Sequence, residues 1–163
     1  DHELAARVIG QLLALEQEDP KAPITMILNS PGGSVTDGFA IYDAMRFIGP
    51  EVRVLCVGLT ASIATIILLG APKEWRTALP STRLLIHQVY IPGVVRGQAS
   101  DLEITAKDLL QTRRRLNDLL AAETGQPIDR IDRDTNRDYW MTASEAVEYG
   151  LLTRVVTHRS ELG

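Results

Sequence analysis

A serine hydroxyl stands at the junction of two apolar stretches and is the first candidate for chemistry. Ser62 follows an apolar run predicted as a strand from Val52 and precedes an apolar run, predicted as a helix, that reaches Gly70. A hydroxyl at a strand-to-helix turn can be presented as a nucleophile, with backbone N–H groups of the helix start pointing toward the same place. Serine is also a preferred N-cap residue, so a purely structural cap is the competing interpretation.

A serine nucleophile needs a base, and His87 is the one histidine that lies away from both ends of the sequence. It follows the apolar residues 84–86, so it stands at the end of a predicted strand, where a structural imidazole is the alternative. A neutral imidazole can accept the serine proton near neutral pH. Ser62 and His87 together are therefore the minimum set for nucleophilic catalysis.

Two backbone elements could stabilise the negative charge that develops on a carbonyl oxygen after attack. Gly32-Gly33 permits close approach of the backbone, although a plain tight turn is the alternative for this pair. Ile63, directly after Ser62, places its N–H at the start of the predicted helix. These N–H groups are the predicted oxyanion donors.

The residues alone leave the third member of a triad open. A carboxylate should orient the imidazole of His87, and seven aspartates follow it along the chain. The alternating charged stretch 130–138, predicted as a loop, ranks highest, although a salt-bridged surface turn is its structural alternative. The candidates are Asp101, Asp108, Asp118, Asp129, Asp132, Asp134 and Asp138.

Composition excludes several classes of protein. The net charge of −4 comes without a basic block, which argues against nucleic acid and anionic membranes as partners. The one cysteine, Cys56, lies in an apolar run, and there is neither a metal-binding nor a phosphate-loop pattern, so we expect no metal and no cofactor. No apolar stretch reaches the length of a membrane span and no signal peptide opens the sequence. We therefore expect one cytoplasmic domain over residues 1–163.

Short hydrophobic strands alternate with helices along the sequence. Such alternation predicts an α/β fold with a mostly parallel sheet, in which active groups lie at the carboxyl ends of the strands. Ser62 and His87 both fall at such ends. The predicted strands are 24–28, 52–57, 75–79, 83–87 and 151–156, and the predicted helices before residue 70 begin near residues 4, 35 and 62.

The longest predicted helix covers about residues 100–123, between a capping-box pattern at 100–103 and Thr124-Gly125. It is heavily charged and keeps one apolar stripe, so packing on its own sheet and contact with another subunit are both open. A second capping box, Thr142 to Glu145, predicts a short helix that ends at Gly150. The stripe consists of Leu102, Leu109, Leu116 and Leu120.

Five segments, in order and spacing, resemble the ClpP family of serine peptidases (family S14), the proteolytic subunits of the ATP-dependent Clp protease. The resemblance covers nearly the whole sequence, and the five segments are residues 29–33, 58–62, 79–88, 97–104 and 133–138. It implies Ser62 as the nucleophile, His87 as the general base and Asp138 as the orienting carboxylate. It also implies backbone donors at Gly33 and Ile63, and a noncatalytic role for Asp134.

The resemblance further implies a crotonase-like β/α spiral with a protruding handle helix. The head would cover about residues 1–88 and 126–163, and the handle about 89–125. Two seven-membered rings would stack into a barrel that degrades unfolded polypeptides fed by an AAA+ unfoldase. The strand and axial loop that open family members are expected to be absent before the helix near His2.

Two departures from the family pattern leave alternatives open. Residues 89–96 are longer by two than the usual glycine-rich turn and contain a proline, and Asn136 replaces an acid that pairs across the rings with the equivalent of Arg137. A noncatalytic ring subunit that scaffolds or gates an active paralogue is therefore one alternative. Crotonase-type acyl-CoA chemistry is another, since the fold is shared.

Overall fold

The computed structural model describes residues 1–90 and 96–162 and shows a mixed α/β fold. The helices are α1 (His2–Glu18), α2 (Val35–Phe47), α3 (Ile63–Leu68), α4 (Ala99–Thr124), α5 (Ile128–Thr135) and α6 (Ala143–Tyr149), with 3₁₀ turns at Lys73–Trp75 and Arg159–Leu162. The strands are β1 (Ile24–Ser30), β2 (Val52–Ala61), β3 (Arg76–Ala78), β4 (Arg83–Ile86), β5 (Tyr139–Thr142) and β6 (Arg154–Val155).

The sheet is organised around β2. This strand pairs in parallel with β1, β3 and β4, and β3 continues in parallel to β6. The one antiparallel pairing, between β4 and β5, sets Ile86 opposite Tyr139. The predicted mostly parallel sheet is confirmed, and the carboxyl ends of β2 and β4 lie side by side.

Strand β2 is longer than the predicted 52–57 because it continues through a bulge. Gly58 has φ +65°, a conformation that favours glycine, and the pairing with β1 changes register there. The side-chain oxygen of Asn29 accepts a hydrogen bond from the N–H of Leu59 at 3.1 Å. Beyond the bulge, β2 pairs with β4 instead of β3, which carries its end to the position next to His87.

The core is aliphatic and lies between the sheet and the helices. Helix α3 is buried at every residue, and strand β4 is buried from Leu84 to Ile86. The thiol of Cys56 lies in the same core, and its burial raises its pKa to about 12. Such packing fixes the two elements that bear Ser62 and His87.

Helix α4 is about 39 Å long at 1.5 Å per residue, and only its second half is packed. Its buried residues are Leu116, Asn117, Leu120 and Thr124, whereas Leu102, in its first half, is exposed. The predicted capping box at Ser100 is wrong, because the helix begins at Ala99 with Gln98 as N-cap. Ser100 therefore lies within the first turn. No helix among the described residues is long and apolar enough to cross a membrane.

Two further predictions need correction. The charged stretch predicted as a loop is helical as far as Thr135, because Ile131 and Thr135 lie one turn apart and are fully buried while Asp132 and Arg133 are exposed. The last strand is confined to Arg154–Val155, because Leu151 and Leu152 instead close a turn by donating their N–H groups to the carbonyl of Ala146.

The second capping box is confirmed at the start of α6. The hydroxyl of Thr142 accepts a hydrogen bond from the N–H of Glu145, and the carboxylate of Glu145 accepts one from the N–H of Thr142. The backbone hydrogen bond from Thr142 is the main cause that lowers the pKa of Glu145. Gly150 ends the helix in the left-handed conformation, as predicted.

Candidate active site

Ser62 stands at the end of β2 in a conformation that non-glycine residues rarely adopt. Its φ of 58° and ψ of −128° make it the only non-glycine residue with positive φ in the described part of the chain. The N–H of Ser62 donates to the carbonyl of Leu85 at 2.9 Å, and its carbonyl accepts from the N–H of Thr65 at 3.0 Å. The turn is thus held from both sides, as strained residues at functional sites require.

The hydroxyl of Ser62 does not cap α3, although Ser62 occupies the N-cap position. The competing interpretation of a helix cap is therefore wrong for its side chain. Instead, Ser62 Oγ lies 2.7 Å from His87 Nε2. With the imidazole proton on Nδ1, the hydroxyl donates to Nε2, which is the arrangement in which a histidine can remove the serine proton.

Strand pairing brings this serine and histidine together. Ala61 is paired with Leu85 in the parallel register of β2 and β4, so Ser62 and His87 follow directly at the two strand ends. The side chain of His87 is only 15% exposed. The predicted placement of both residues at carboxyl ends of strands is confirmed.

Asp138 is the aspartate near the other ring nitrogen. Its Oδ1 lies 3.6 Å from His87 Nδ1, which is within ion-pair range but too long for a hydrogen bond. The side chain of Asp138 is 66% exposed. The antiparallel pairing of Tyr139 with Ile86 explains its place, since it sets the residue before Tyr139 beside the residue after Ile86.

Two other candidate aspartates have structural partners elsewhere. Asp134 accepts hydrogen bonds from the hydroxyl of Tyr149 at 2.9 Å and from Arg130 at 3.3 Å. The pKa of Tyr149 is raised, mainly by burial of its side chain and secondly by this hydrogen bond to Asp134. Asp132 accepts from the side chain of the buried Asn117 at 2.6 Å. These contacts fasten α5 to α6 and α4, and they leave Asp138 as the carboxylate beside the site.

The predicted backbone donors lie around the serine corner. Within residues 1–90 and 96–162, no hydrogen bond uses the N–H of Gly33 or that of Ile63. Gly32, with φ +99°, packs directly on the corner: an added Cβ would lie 2.6 Å from Ser62 Cβ and 2.9 Å from the carbonyl oxygen of Ala61. Only glycine fits at position 32, so Gly32-Gly33 does more than form a tight turn: it allows the backbone to pack against Ser62.

A cavity of about 1400 Å³ opens in front of Ser62, His87 and Asp138. Gly33 and Ile63 also line it, so all five predicted site residues border one space. One wall comes from α4 and carries no charge; its lining residues are Leu102, Thr105, Ala106, Leu109, Leu116 and Leu120.

Sequence reasoning missed Gln88 and Tyr90, which follow the histidine. The N–H of Gln88 donates to the carbonyl of Thr135 at 2.6 Å, and its side-chain amide donates to the carbonyl of Asn136 at 3.0 Å. The ring of Tyr90 packs edge-to-face on that of His87. The available signal was their position directly after the carboxyl end of a strand, where ligands bind in α/β sheets.

The structure is therefore a mixed α/β fold in which the side chain of His87 lies between those of Ser62 and Asp138. This spatial arrangement is the one used for nucleophilic acyl transfer. The Clp protease family model matches residues 1–159. Over 159 residues, the chain is 47% identical to the ATP-dependent Clp protease proteolytic subunit 1 of Gloeobacter violaceus, covering 98% of this chain and 80% of that protein. The chain belongs to the Clp protease family.

Proposed function

We propose that this chain is a serine endopeptidase subunit of the Clp type. The observation that carries the proposal is the 2.7 Å contact between Ser62 Oγ and His87 Nε2 at a corner held in a positive-φ conformation. A serine hydroxyl reacts poorly until a base is within hydrogen-bond reach, and here the base is already in place. Family membership favours peptide hydrolysis over acyl-CoA chemistry.

The proposed reaction proceeds through an acyl-enzyme. Ser62 Oγ attacks the peptide carbonyl carbon as His87 Nε2 takes the hydroxyl proton, and the N–H groups of Gly33 and Ile63 donate to the carbonyl oxygen that becomes negative. Collapse breaks the C–N bond, and His87 returns the proton to the leaving amine. Water then attacks the ester with His87 as base, which releases the acid and restores Ser62. Asp138 stabilises the positive imidazole in both halves.

A matched pair of serine variants tests this proposal. Ser62→Ala should abolish cleavage of short fluorogenic peptides and of an unfolded protein, because it removes the hydroxyl that contacts the base His87. Ser81→Ala, in an exposed turn between β3 and β4, should cleave like the unchanged protein. Size-exclusion chromatography of both variants should show the same assembly. Retained peptide cleavage by Ser62→Ala would sink the proposal.

We propose that α4 is a handle helix for subunit assembly. Its packed second half and uncovered first half fit a helix that reaches out from a head. Ile104 and Leu110 are about two-thirds exposed in the single chain and would be available for contact with another subunit. The proposed assembly is two stacked seven-membered rings, with the head at about residues 1–88 and 126–163, the handle at about 89–125, and an active-site chamber within.

The proposed substrates are unfolded polypeptides delivered by an AAA+ unfoldase. A family member named as an ATP-dependent Clp protease subunit supports an ATPase partner. The head of the single chain leaves large apolar side chains uncovered, as a protein with further contacts does; these include Leu4, Leu13, Leu15, Ile27 and Phe47. The cytoplasmic location stays a prediction, as does the fold as a crotonase-like spiral.

A second candidate is a noncatalytic ring subunit that scaffolds or gates an active paralogue. The observation in its favour is the 3.6 Å gap between Asp138 and His87, which leaves the imidazole without a hydrogen-bonded carboxylate. Most of the atypical segment 89–96 lies outside the described residues. Peptide cleavage by the purified chain without any paralogue supports the peptidase, whereas cleavage that needs the paralogue and survives Ser62→Ala in this chain supports the scaffold.

A further inference from the structure

The imidazole of His87 is better buried than its carboxylate partner. Asp138 is largely exposed and stands 3.6 Å from Nδ1, yet the side chain of His87 is only 15% exposed. An exposed ion pair at this distance is screened by water and holds a ring weakly. Other groups must therefore cover the imidazole and fix its direction toward Ser62.

Tyr90 makes such a contact. The ring centroids of His87 and Tyr90 are 5.6 Å apart and their planes meet at 65°, which is an edge-to-face arrangement. Aromatic rings prefer this geometry at centroid distances of about 4.5–7 Å. Tyr90 is 63% exposed and lines the same cavity as Ser62. Its ring thus contacts the imidazole and borders the space in front of the nucleophile.

The residues between His87 and Tyr90 anchor this ring. Gln88 is tied to the last turn of α5 by two hydrogen bonds, one from its N–H to Thr135 and one from its side chain to Asn136. Val89 packs against the hydrophobic core. Because Gln88 is hydrogen-bonded and Val89 is packed, the backbone after β4 is constrained. This constraint holds the ring of Tyr90 in contact with that of His87.

We propose that Tyr90 is a positioning residue that holds the imidazole of His87 in line with Ser62 through its aromatic ring. The inference rests on the proposed role of His87 as general base. Tyr90 has no hydrogen bond to another described residue through its hydroxyl, so the ring rather than the phenol carries the effect. A residue that only touched substrate would alter peptide binding and leave the reactivity of Ser62 unchanged.

Phosphonylation of Ser62 by a small fluorophosphonate, in which the serine oxygen displaces fluoride from phosphorus, separates these roles in the assembled protein because the probe does not fill an extended peptide groove. Tyr90→Leu should lower the second-order rate constant about threefold to tenfold, while Tyr90→Phe should match the unchanged protein. Tyr42→Leu is the matched control, since it removes another edge-to-face pair, with Phe39 on α2, away from the cavity. It should leave the rate constant unchanged.

Equal phosphonylation rates for Tyr90→Leu and the unchanged protein would overturn the proposal, as would a loss in Tyr90→Phe as large as that in Tyr90→Leu. If the unchanged protein does not react at all, the proposed peptidase function fails instead.

Crystal structures of the two Tyr90 variants test its role independently of the labelling rates. His87 Nε2 should stay within about 3 Å of Ser62 Oγ in Tyr90→Phe and leave hydrogen-bond distance in Tyr90→Leu. An unmoved imidazole in Tyr90→Leu would reject it.

Discussion

The two sides of His87 are built differently. On the Nε2 side, Ser62 is fixed by adjacent parallel strands, a buried helix and a tight glycine, and the contact is 2.7 Å. On the Nδ1 side, Asp138 stands exposed in the short connection between α5 and β5, and the distance is 3.6 Å. The sheet therefore fixes the nucleophile and base, while the carboxylate depends on a connection that can shift without disturbing the core.

Among changes that leave Ser62 and His87 in place, the largest effect should come from filling the space next to the nucleophile. Gly32→Ala would place a Cβ 2.6 Å from Ser62 Cβ in a backbone conformation with φ +99°. Because a displacement of about 1 Å at a reacting group costs about 10²-fold, we expect the rate of phosphonylation by a fluorophosphonate to fall at least that far. Strain should also lower the free energy of unfolding by about 1–3 kcal/mol.

Gly10→Ala is the matched control for this change. An added Cβ at Gly10, in the middle of α1, meets nothing within 4 Å. The alanine should raise the free energy of unfolding by about 0.5–1 kcal/mol and leave the phosphonylation rate unchanged. A normal phosphonylation rate in Gly32→Ala would show that the serine corner is not rigid, and the contrast between the two sides of His87 would disappear.

A smaller loss is expected on the carboxylate side. Asp138→Asn should slow phosphonylation about tenfold to a hundredfold, because an exposed carboxylate at 3.6 Å contributes less than the buried, hydrogen-bonded aspartate whose loss costs about 10⁴-fold in a well-formed triad. Asp134→Asn is the control, since Asp134 is hydrogen-bonded to Tyr149 and Arg130 instead; it should lower the melting temperature with little change in the phosphonylation rate. A 10⁴-fold loss in Asp138→Asn would show that the carboxylate closes onto His87 during reaction.

The strained conformation of Ser62 gives a prediction about stability. At positions with negative φ, a protein with glycine is usually less stable than one with alanine. At φ 58° the order reverses, because alanine is strained in this conformation and glycine is not. Ser62→Gly should therefore exceed Ser62→Ala in free energy of unfolding by about 1 kcal/mol, measured by urea denaturation, although both variants are inactive. Greater stability of the alanine variant would contradict the positive-φ corner.

The last prediction concerns pH and the buried thiol of Cys56. Burial raises the pKa of Cys56 from 9.0 to about 12, and a hydrogen bond with Thr60 acts in the opposite direction. Well below pH 9 the thiol is protonated whether the protein is folded or not. Between about pH 9 and 12 the unfolded thiol ionises first, so stability should fall by at most about 1.4 kcal/mol per pH unit.

Cys56→Ala should remove this part of the alkaline loss. Urea denaturation at pH 8 and pH 10.5 measures the difference for each protein. The decrease between the two pH values should be smaller in Cys56→Ala than in the unchanged chain, whatever the cavity costs at pH 8. Equal decreases would show that the thiol of Cys56 reaches water in the native state.

The sequence was sufficient to predict the parts that depend on local signals. Alternating strands and helices, the glycine and proline stops and the second capping box predicted the mostly parallel sheet and placed Ser62 and His87 at strand ends. Residue patterns alone could not choose among seven aspartates, because the position of Asp138 depends on the antiparallel pairing of Tyr139 with Ile86. The family resemblance supplied that residue.

Other features depended on contacts between distant residues. The bulge that extends β2 relies on the side chain of Asn29, and the helical rather than looped form of α5 follows from burial of Ile131 against the rest of the fold. The start of α4 at Ala99 also differs from the local pattern, since Ser100 looked like a cap. These features are determined by tertiary packing, which cannot be deduced from a short stretch of sequence.

The most direct test of the account is the site and rate of fluorophosphonate modification in the purified, assembled protein. We predict that mass spectrometry will locate one adduct per chain on Ser62, and that His87→Ala will slow its formation at least a thousandfold without changing assembly. Absence of an adduct at Ser62, or an equal rate in His87→Ala, would contradict the central claim that the sheet holds this serine and histidine as a working nucleophile and base.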